Sequence, residues 1–177
     1  MFAYCLNNPL IYGDDSGFDA VILYDEDNVG HIGVLLEDEN GNWWHCYWGT
    51  SGTFVRILCA IGFFVPNYTW CVEYKGDVNL DSINSTEEYS GNYEKMYYLE
   101  GDFSDSLDDF SDPTGMYNLF VNNCSEFTLR VLAKSDTTYA QMLTRASRKI
   151  LPANAAQEIA KYMAIKNYGE EYLGNRQ

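Results

Sequence analysis

Cys124 is the residue of this sequence whose surroundings best suit a nucleophile. It follows Asn122-Asn123, and Glu126 lies three residues after Asn123, a spacing typical of a capped helix start. The sequence therefore predicts a helix with Cys124 in its first turn, where the N–H groups and the helix dipole favour a thiolate and are able to hold an oxyanion. Asn123 most simply caps this helix, with a place in an oxyanion hole as the alternative. Tyr117 either closes the site or packs against it.

A nucleophilic thiol also needs a base, and the sequence contains only two histidines, His31 and His45. In thiol chemistry a thiolate attacks an acyl carbon, an imidazole accepts and returns the proton, and a third group orients the imidazole. Each residue also has a purely structural interpretation. Cys124 would then be a small buried apolar residue, His31 a hydrogen-bonded strand residue, and His45 part of an aromatic layer.

The elements that must position these residues follow from the hydrophobic pattern. Short apolar or β-rich runs predict strands at residues 20–24, 31–36, 43–48, 68–74 and 95–100. Helices are predicted at 102–110, after Asn123, at 137–149 and at 152–167, and the polar residues 76–95 predict a surface loop. Residues 54–65 fit a strand or a helix. We therefore expect an α+β fold in which a curved antiparallel sheet packs against the Cys124 helix, with further C-terminal helices alongside.

The turn between the two histidine-bearing segments decides whether His31 and His45 can act together. Asn40-Gly41 is a strong hairpin signal. A two-residue loop at these positions would place the two histidines on opposite faces of the sheet. A three-residue loop, Glu39-Asn40-Gly41 with Gly41 in a bulge, would place both on one face but offset along the strands. A triad that contains both histidines therefore requires the longer turn and a strongly curved sheet.

The order of the segments resembles the circularly permuted papain-like group of NlpC-type hydrolases, lecithin retinol acyltransferase-like enzymes and deubiquitinase-like peptidases. Gly30-His-Ile-Gly-Val-Leu-Leu36 precedes Tyr117-Asn-Leu-Phe-Val-Asn-Asn-Cys124, and members share a His-x-x-hydrophobic strand followed downstream by a helix opened by Asn-Cys. The resemblance implies a papain-like fold and a Cys124–His31 dyad, with His45 as the third, orienting residue. We expect no metal and no cofactor.

Residues 1–17 differ from the remainder, residues 18–177, which we expect to form the catalytic domain. The arm contains Asn7-Asn8-Pro9, Asp14 and Gly17 in a segment dense in turn formers. It resembles the end of the conserved core of rearrangement-hotspot (Rhs) repeat proteins, after which a variable toxin tip follows. Asp15 stands where that family usually has proline. The resemblance implies a bacterial effector or toxin domain with a cognate inhibitor (immunity) protein as a partner.

Composition narrows the classes of function. The chain has 177 residues, 46% of them hydrophobic, and a formal charge of −15, which disfavours binding to nucleic acid or anionic lipid and favours a cationic partner or substrate. Five irregularly spaced cysteines with no CxxC pair predict reduced thiols rather than a disulfide framework or a zinc site. We recognise no signal peptide and no run of membrane-spanning length, so we expect a cytoplasmic protein when it is expressed alone, exported as part of an Rhs-type effector.

Taken together, these features predict a thiol-dependent peptidase or amidase acting on a protein or peptide, without nucleic-acid binding or membrane insertion. Two alternatives stay open. The first is an acidic, non-catalytic binding protein that neutralises a basic toxin, which would not need Cys124 near His31. The second is an acyltransferase acting on a lipid or a small acyl donor, which would need an exposed apolar surface near Cys124.

Overall fold

The computed structural model describes residues 18–27, 30–50, 58–59, 61–86, 92–111, 116–135 and 137–174, with the backbone alone at 168–174. The predicted N-terminal arm and most of the segment at 54–65 lie outside these residues. The described part is α+β, with an open five-stranded antiparallel sheet and five helices. The predicted fold class is therefore confirmed at the level of α+β.

The sheet has the strand order β4-β3-β2-β1-β5, so that the strand carrying His31 lies at its centre. The strands are β1 (Ala20–Asp25), β2 (His31–Glu37), β3 (Trp43–Gly49), β4 (Tyr68–Tyr74) and β5 (Lys95–Leu99). Each agrees with the predicted strand to within one residue. This agreement reflects the density of β-branched and aromatic residues in these runs, which suits a pleated, half-buried surface.

The helices are α1 (Leu80–Asn84), α2 (Ser104–Ser111), α3 (Cys124–Leu132), α4 (Ala140–Ser147) and α5 (Pro152–Gly174). The prediction of a loop throughout residues 76–95 was wrong at α1, which Asn79 caps through a side-chain bond to the N–H of Ser82 and which buries Ile83 against the sheet. None of the described helices combines the length and the apolar character that a membrane crossing requires.

Helix α3 packs on one face of the sheet and forms the main core there. The ring of Trp48 on β3 stacks on the ring of Phe127 on α3, with centroids 4.7 Å apart. Ile32, Val34 and Cys124 belong to the same buried cluster. The opposite face carries a smaller cluster that includes Leu35, Ile83 and Tyr93. The central strand is therefore covered on both faces, and α3 is held firmly against it.

The β2–β3 hairpin has the longer of the two turns considered from the sequence. Glu37 pairs with Trp43 and Leu35 with His45, which leaves Glu39-Asn40-Gly41 as a three-residue loop with Gly41 at φ +77°. This register places His31 and His45 on the same face of the sheet.

Asp38 holds this hairpin turn together. One of its carboxylate oxygens accepts the N–H groups of Asn40 and Asn42, at 2.8 and 2.9 Å, and the other accepts Nε1–H of Trp44 at 3.0 Å. The bond from Trp44 is the main cause that lowers the pKa of Asp38 to about 2. The turn geometry is therefore stabilised by an ionised side chain.

The expectation that the cysteines are reduced was wrong for one pair, because Cys46 and Cys71 form a disulfide. The two residues lie directly opposite one another on β3 and β4, with Cα atoms 4.2 Å apart. The sequence did not reveal this because the pairing of these two strands was not predicted. Cys59 and Cys124 are free and buried.

Candidate active site

Asn123 fixes the start of α3 and thereby the position of the candidate nucleophile. Its Oδ1 accepts the N–H of Glu126 at 3.1 Å, and its Nδ2 donates to the carbonyls of Leu119 and Ile150 at 2.9 and 2.7 Å. Both amide hydrogens are thus engaged, so Asn123 supports the site as a cap and has no donor left for an oxyanion. Cys124 is the first residue of the helix and is 1% exposed.

His31 and Cys124 form a hydrogen-bonded pair at the end of β2. Burial by itself would raise the pKa of the Cys124 thiol, but the charge of His31 and the bond to its imidazole lower it below the usual value. Burial disfavours protonation of His31, yet the Cys124 thiolate, the bond to it and the carboxylate of Asp25 raise its pKa. Opposite shifts of this kind favour a thiolate–imidazolium pair over the neutral thiol and imidazole.

Two further groups donate hydrogen bonds to the sulfur of Cys124. One is the backbone N–H of Ile32, the residue after His31, and the other is the hydroxyl of Tyr117. Tyr117 is buried, and burial together with the neighbouring thiolate raises the pKa of its phenol, which therefore stays a donor. Its position next to the sulfur is fixed by an isolated bridge between Tyr117 and Val65 and by its ring contact with Trp48.

His45 occupies a different place along the sheet from His31. It lies opposite Leu35, four residues along β2 from His31, which corresponds to a backbone offset of about 13 Å. Its Nε2 hydrogen-bonds to the hydroxyl of Tyr93 at 3.1 Å. The ring of Tyr47 lies between the two histidines, 5.9 Å from His31 and 5.5 Å from His45, measured between centroids. The structure thus brings together Cys124, His31 and Tyr117, whereas His45 belongs to the aromatic layer beyond Tyr47.

Asp25 is a neighbour of His31 that the sequence reasoning missed. It ends β1 directly opposite His31, is buried, and its charge contributes to the raised pKa of the imidazole. Its Oδ1 also accepts the N–H of Asp27 at 2.7 Å. The sequence did contain a feature from which this neighbour could have been predicted. A short acidic segment joins the first predicted strand to Gly30-His31, and such a segment predicts a hairpin with a carboxylate opposite the histidine.

The carboxylates of Asp25, Asp27 and Glu94 have oxygen atoms within 4.8 Å of one another. Oxygen donors in such a group suit a hard cation such as Ca²⁺. Asp27 and Glu94 are exposed, however, and exposed acidic groups commonly lie together without an ion. We therefore assign no metal to this cluster, and of its three carboxylates only that of Asp25 contributes to the raised pKa of His31.

Exposed apolar side chains lie on three segments that hydrogen bonds join to one another near the start of α3. They come from the chain before β4, from the loop before α3 and from the position two residues before α5, and we call them the apolar rim: Ile61, Phe63, Phe64, Met116, Phe120, Val121 and Ile150. Hydrogen bonds tie the three segments together, from Nδ2 of Asn118 to the carbonyl of Gly62 at 2.8 Å and from Asn123 to Ile150. A concentration of exposed apolar groups marks an interaction surface more often than a solvated one.

Comparison with known proteins found no relative of this chain. No family model matches it, and no match was found among curated proteins or solved structures. The functional assignment therefore depends on the geometry of the site.

Proposed function

We propose that this protein is a cysteine-dependent hydrolase that cleaves amide bonds of a protein or peptide, with Cys124 as nucleophile and His31 as general base and acid. The observation that carries the proposal is the hydrogen-bonded Cys124–His31 pair at a capped helix start, with the pKa of the thiol lowered and that of the imidazole raised. A non-catalytic acidic binding protein has no need of such a pair, which weighs against that alternative.

In the first half of the reaction the Cys124 thiolate attacks the carbonyl carbon of the substrate. A C–S bond forms, and the carbonyl electron pair moves onto oxygen. The N–H groups of Glu126 and Phe127 are already bonded to Asn123, and that of Cys124 is bonded to the Tyr117 hydroxyl, so we assign the oxyanion to the N–H of Ser125. The imidazolium of His31 then protonates the leaving nitrogen, and the C–N bond breaks to leave a thioester.

In the second half water replaces the amine. Neutral His31 removes a proton from water as the new C–O bond forms, and the C–S bond then breaks to release the acid. The thiolate returns to its hydrogen bonds with Ile32 and Tyr117, and the imidazolium is restored beside it. The charge of Asp25 adds to the effects that raise the pKa of His31 and so favours the return of the imidazole to its protonated state.

The biological setting that we propose is a bacterial effector or toxin domain, inhibited by a cognate immunity protein. This interpretation rests on the resemblance of residues 1–17 to the end of an Rhs core. Expression of the wild-type chain in a bacterial host should arrest growth, and expression of Cys124→Ala should not. Growth arrest that persists in Cys124→Ala would contradict the link between toxicity and the thiol.

The second candidate is acyl transfer or hydrolysis on a long-chain acyl substrate, and the apolar rim is the observation that favours it. Phe63 and Val121, on two of its three segments, are 59% and 58% exposed. An aliphatic chain that leaves the Cys124 site would meet these side chains and lose its contact with water. A water-soluble peptide would gain much less from them.

Trapping of the acyl-enzyme tests the first candidate. We expect p-nitrophenyl acetate to acetylate Cys124 transiently, seen by intact mass and peptide mapping, and His31→Ala to lose this adduct. Cys59 is the matched control, because it is also free and buried but burial raises the pKa of its thiol. Acetylation of Cys59 and Cys124 to equal extents would show that Cys124 is not activated, and the hydrolase proposal would then fail.

Chain-length dependence separates the two candidates. If the rim receives the acyl chain, p-nitrophenyl decanoate should react at least about tenfold faster than the acetate, and Phe63→Ser with Phe120→Ser should remove that preference. Ile165→Ser is the control, since Ile165 is an exposed apolar residue on α5 outside the rim. Equal rates for the two esters would exclude the long-chain candidate and leave the peptide hydrolase.

A further inference from the structure

Gly33 admits a tyrosine hydroxyl to the face of β2 that carries His31. Side chains alternate along a strand, so residues 31 and 33 belong to the same face. A Cβ atom built on Gly33 would lie 2.5 Å from the hydroxyl oxygen of Tyr93. Gly33 does not have a positive φ, unlike Gly41 in the hairpin turn. The close approach of Tyr93, and not backbone strain, is therefore the reason that a residue without a side chain stands here.

Tyr93 and His45 form a buried polar pair. Each residue is 1% exposed, and the hydroxyl of Tyr93 is 3.1 Å from Nε2 of His45. The side chain of Asn84 accepts the N–H of Tyr93 at 2.8 Å and donates to its carbonyl at 2.9 Å. Tyr93 is thus anchored at its backbone by α1 and at its hydroxyl by β3. A buried polar network that is satisfied in this way is rigid, so it is a fixed wall for the rings that pack on it.

Tyr47 lies directly opposite Gly33 on β2 and directly opposite Trp70 on β4. Its ring stacks on that of Trp70, with centroids 4.9 Å apart and planes at 15°, and lies 5.5 Å from the ring of His45. A third contact joins it to His31, at 5.9 Å and with planes at 80°, an edge-to-face arrangement that aromatic rings favour. Two contacts therefore hold the ring of Tyr47, and the third connects it to the imidazole.

We propose that Tyr47 is a positioning residue whose ring keeps the imidazole of His31 turned towards the sulfur of Cys124. The inference rests on the proposed function, since it concerns the same pair. The last torsion of a histidine side chain is broad, so its own conformational preferences do not select one orientation of the ring. A contacting ring that is itself fixed on two sides does select one. His45 then acts through Tyr47 and not on the imidazole itself.

The test measures alkylation of Cys124 by iodoacetamide between pH 4 and 9, resolved by peptide mass spectrometry. Tyr47→Leu keeps an apolar side chain but removes the flat ring. We expect it to slow alkylation at pH 5 at least about tenfold, because a turned imidazole no longer stabilises the thiolate. The difference should narrow towards pH 9, where the thiol ionises without that help. Tyr47→Phe keeps the ring and should stay within about twofold of wild type at every pH.

Trp43→Leu is the matched control, because it removes an aromatic ring from the other end of β3, opposite Glu37. Loss of packing should lower Tm in both leucine variants, whereas only Tyr47→Leu should change the pH profile. Asp25 and Cys124, whose charges act on the imidazole, are unaltered in all three variants. An equal change in Trp43→Leu would show a general loosening of the sheet and would overturn the role of Tyr47.

Tyr93→Phe gives a second variant if Tyr47→Leu does not fold, since it removes only the bond to His45 and keeps the ring of residue 93. Alkylation of Cys124 at pH 5 should then fall roughly two- to fivefold.

A wild-type profile in Tyr47→Leu, or in Tyr93→Phe where that variant replaces it, would overturn the proposal. Equal slowing in Tyr47→Phe and Tyr47→Leu would also overturn it, since the hydroxyl and not the ring would then be responsible. The proposed function fails separately, when wild-type Cys124 reacts at pH 5 no faster than it does in His31→Ala. The positioning role fails alone when wild type shows that acidic reactivity and Tyr47→Leu shares it.

Discussion

Replacement of Tyr117 by phenylalanine tests whether the thiolate of Cys124 is stabilised as the structure indicates. The substitution keeps the ring that contacts Trp48, with centroids 5.0 Å apart, and removes the hydroxyl that donates to the sulfur. A hydrogen bond to a charged group contributes about 1.5–3 kcal/mol. Since about 1.4 kcal/mol is a factor of ten, the thiolate population at acidic pH should fall roughly 10- to 100-fold.

The rate of alkylation should change less than this population does. Whether the substitution lowers or raises the rate should depend on pH. A thiolate that is less stabilised is a better nucleophile, and this effect offsets roughly half of the loss on a logarithmic scale. We therefore expect Tyr117→Phe to react about 3- to 10-fold more slowly than wild type on the acidic limb. Above the pH at which the thiol is fully ionised, the variant should react faster by a similar factor.

The assay is the rate of iodoacetamide modification of each cysteine between pH 4 and 9, resolved by peptide mass spectrometry. Cys59 in the same sample serves as the internal control, because burial raises the pKa of its thiol and it should react slowly until high pH. Profiles of wild type and Tyr117→Phe that coincide over the whole range would refute the role of the hydroxyl. A change by the same factor at every pH would indicate altered access to the thiol instead.

Three further substitutions or treatments test the scaffold. Asn123→Ala should lower Tm by roughly 2–4 °C through loss of a helix cap and also slow alkylation of the nucleophile, whereas Asn79→Ala should lower Tm alone. The pKa of Asp38 is about 2 when folded against an ordinary 3.8, so its contribution to stability is present above pH 4 and is lost as the pH falls towards 2. Asp38→Asn should reduce the pH dependence of the urea unfolding midpoint between pH 4 and pH 2. An unchanged pH dependence would contradict the assignment. Reduction of the Cys46–Cys71 bond should lower Tm, and alkylation of either cysteine without a reductant would show that the bond is absent.

The local features of the site were predictable because they depend on neighbours in sequence. The run of Asn122-Asn123-Cys124 with Glu126 indicated a capped helix, and Asn123 does cap α3. The strands followed from β-branched and aromatic runs, whose burial on a pleated surface is a local property. The position of Asn40-Gly41 limited the hairpin to two registers, and the structure has the one that places both histidines on one face.

Features that depend on strand order were not predictable in this way. Nothing near Cys46 or Cys71 in the sequence says that β3 and β4 are neighbours, so the disulfide was missed. The placement of His45 failed for a different reason, because it required strong curvature of the sheet, whereas four residues of strand and the ring of Tyr47 separate it from His31. The apolar rim comes from three segments far apart in sequence, and the bonds that join them, from Asn118 to Gly62 and from Asn123 to Ile150, form only in the folded chain.

Because His31 and Cys124 are far apart along the chain, the candidate site exists only in the folded protein. The sulfur is activated by His31 and Ile32 from β2 and by Tyr117 from the loop before α3, which the bridge with Val65 holds in place, and these segments lie far apart in an extended chain. In the unfolded polypeptide Cys124 is an ordinary thiol with an ordinary pKa. The lowered pKa of this thiol therefore reports that β2, the loop before α3 and the start of α3 have come together.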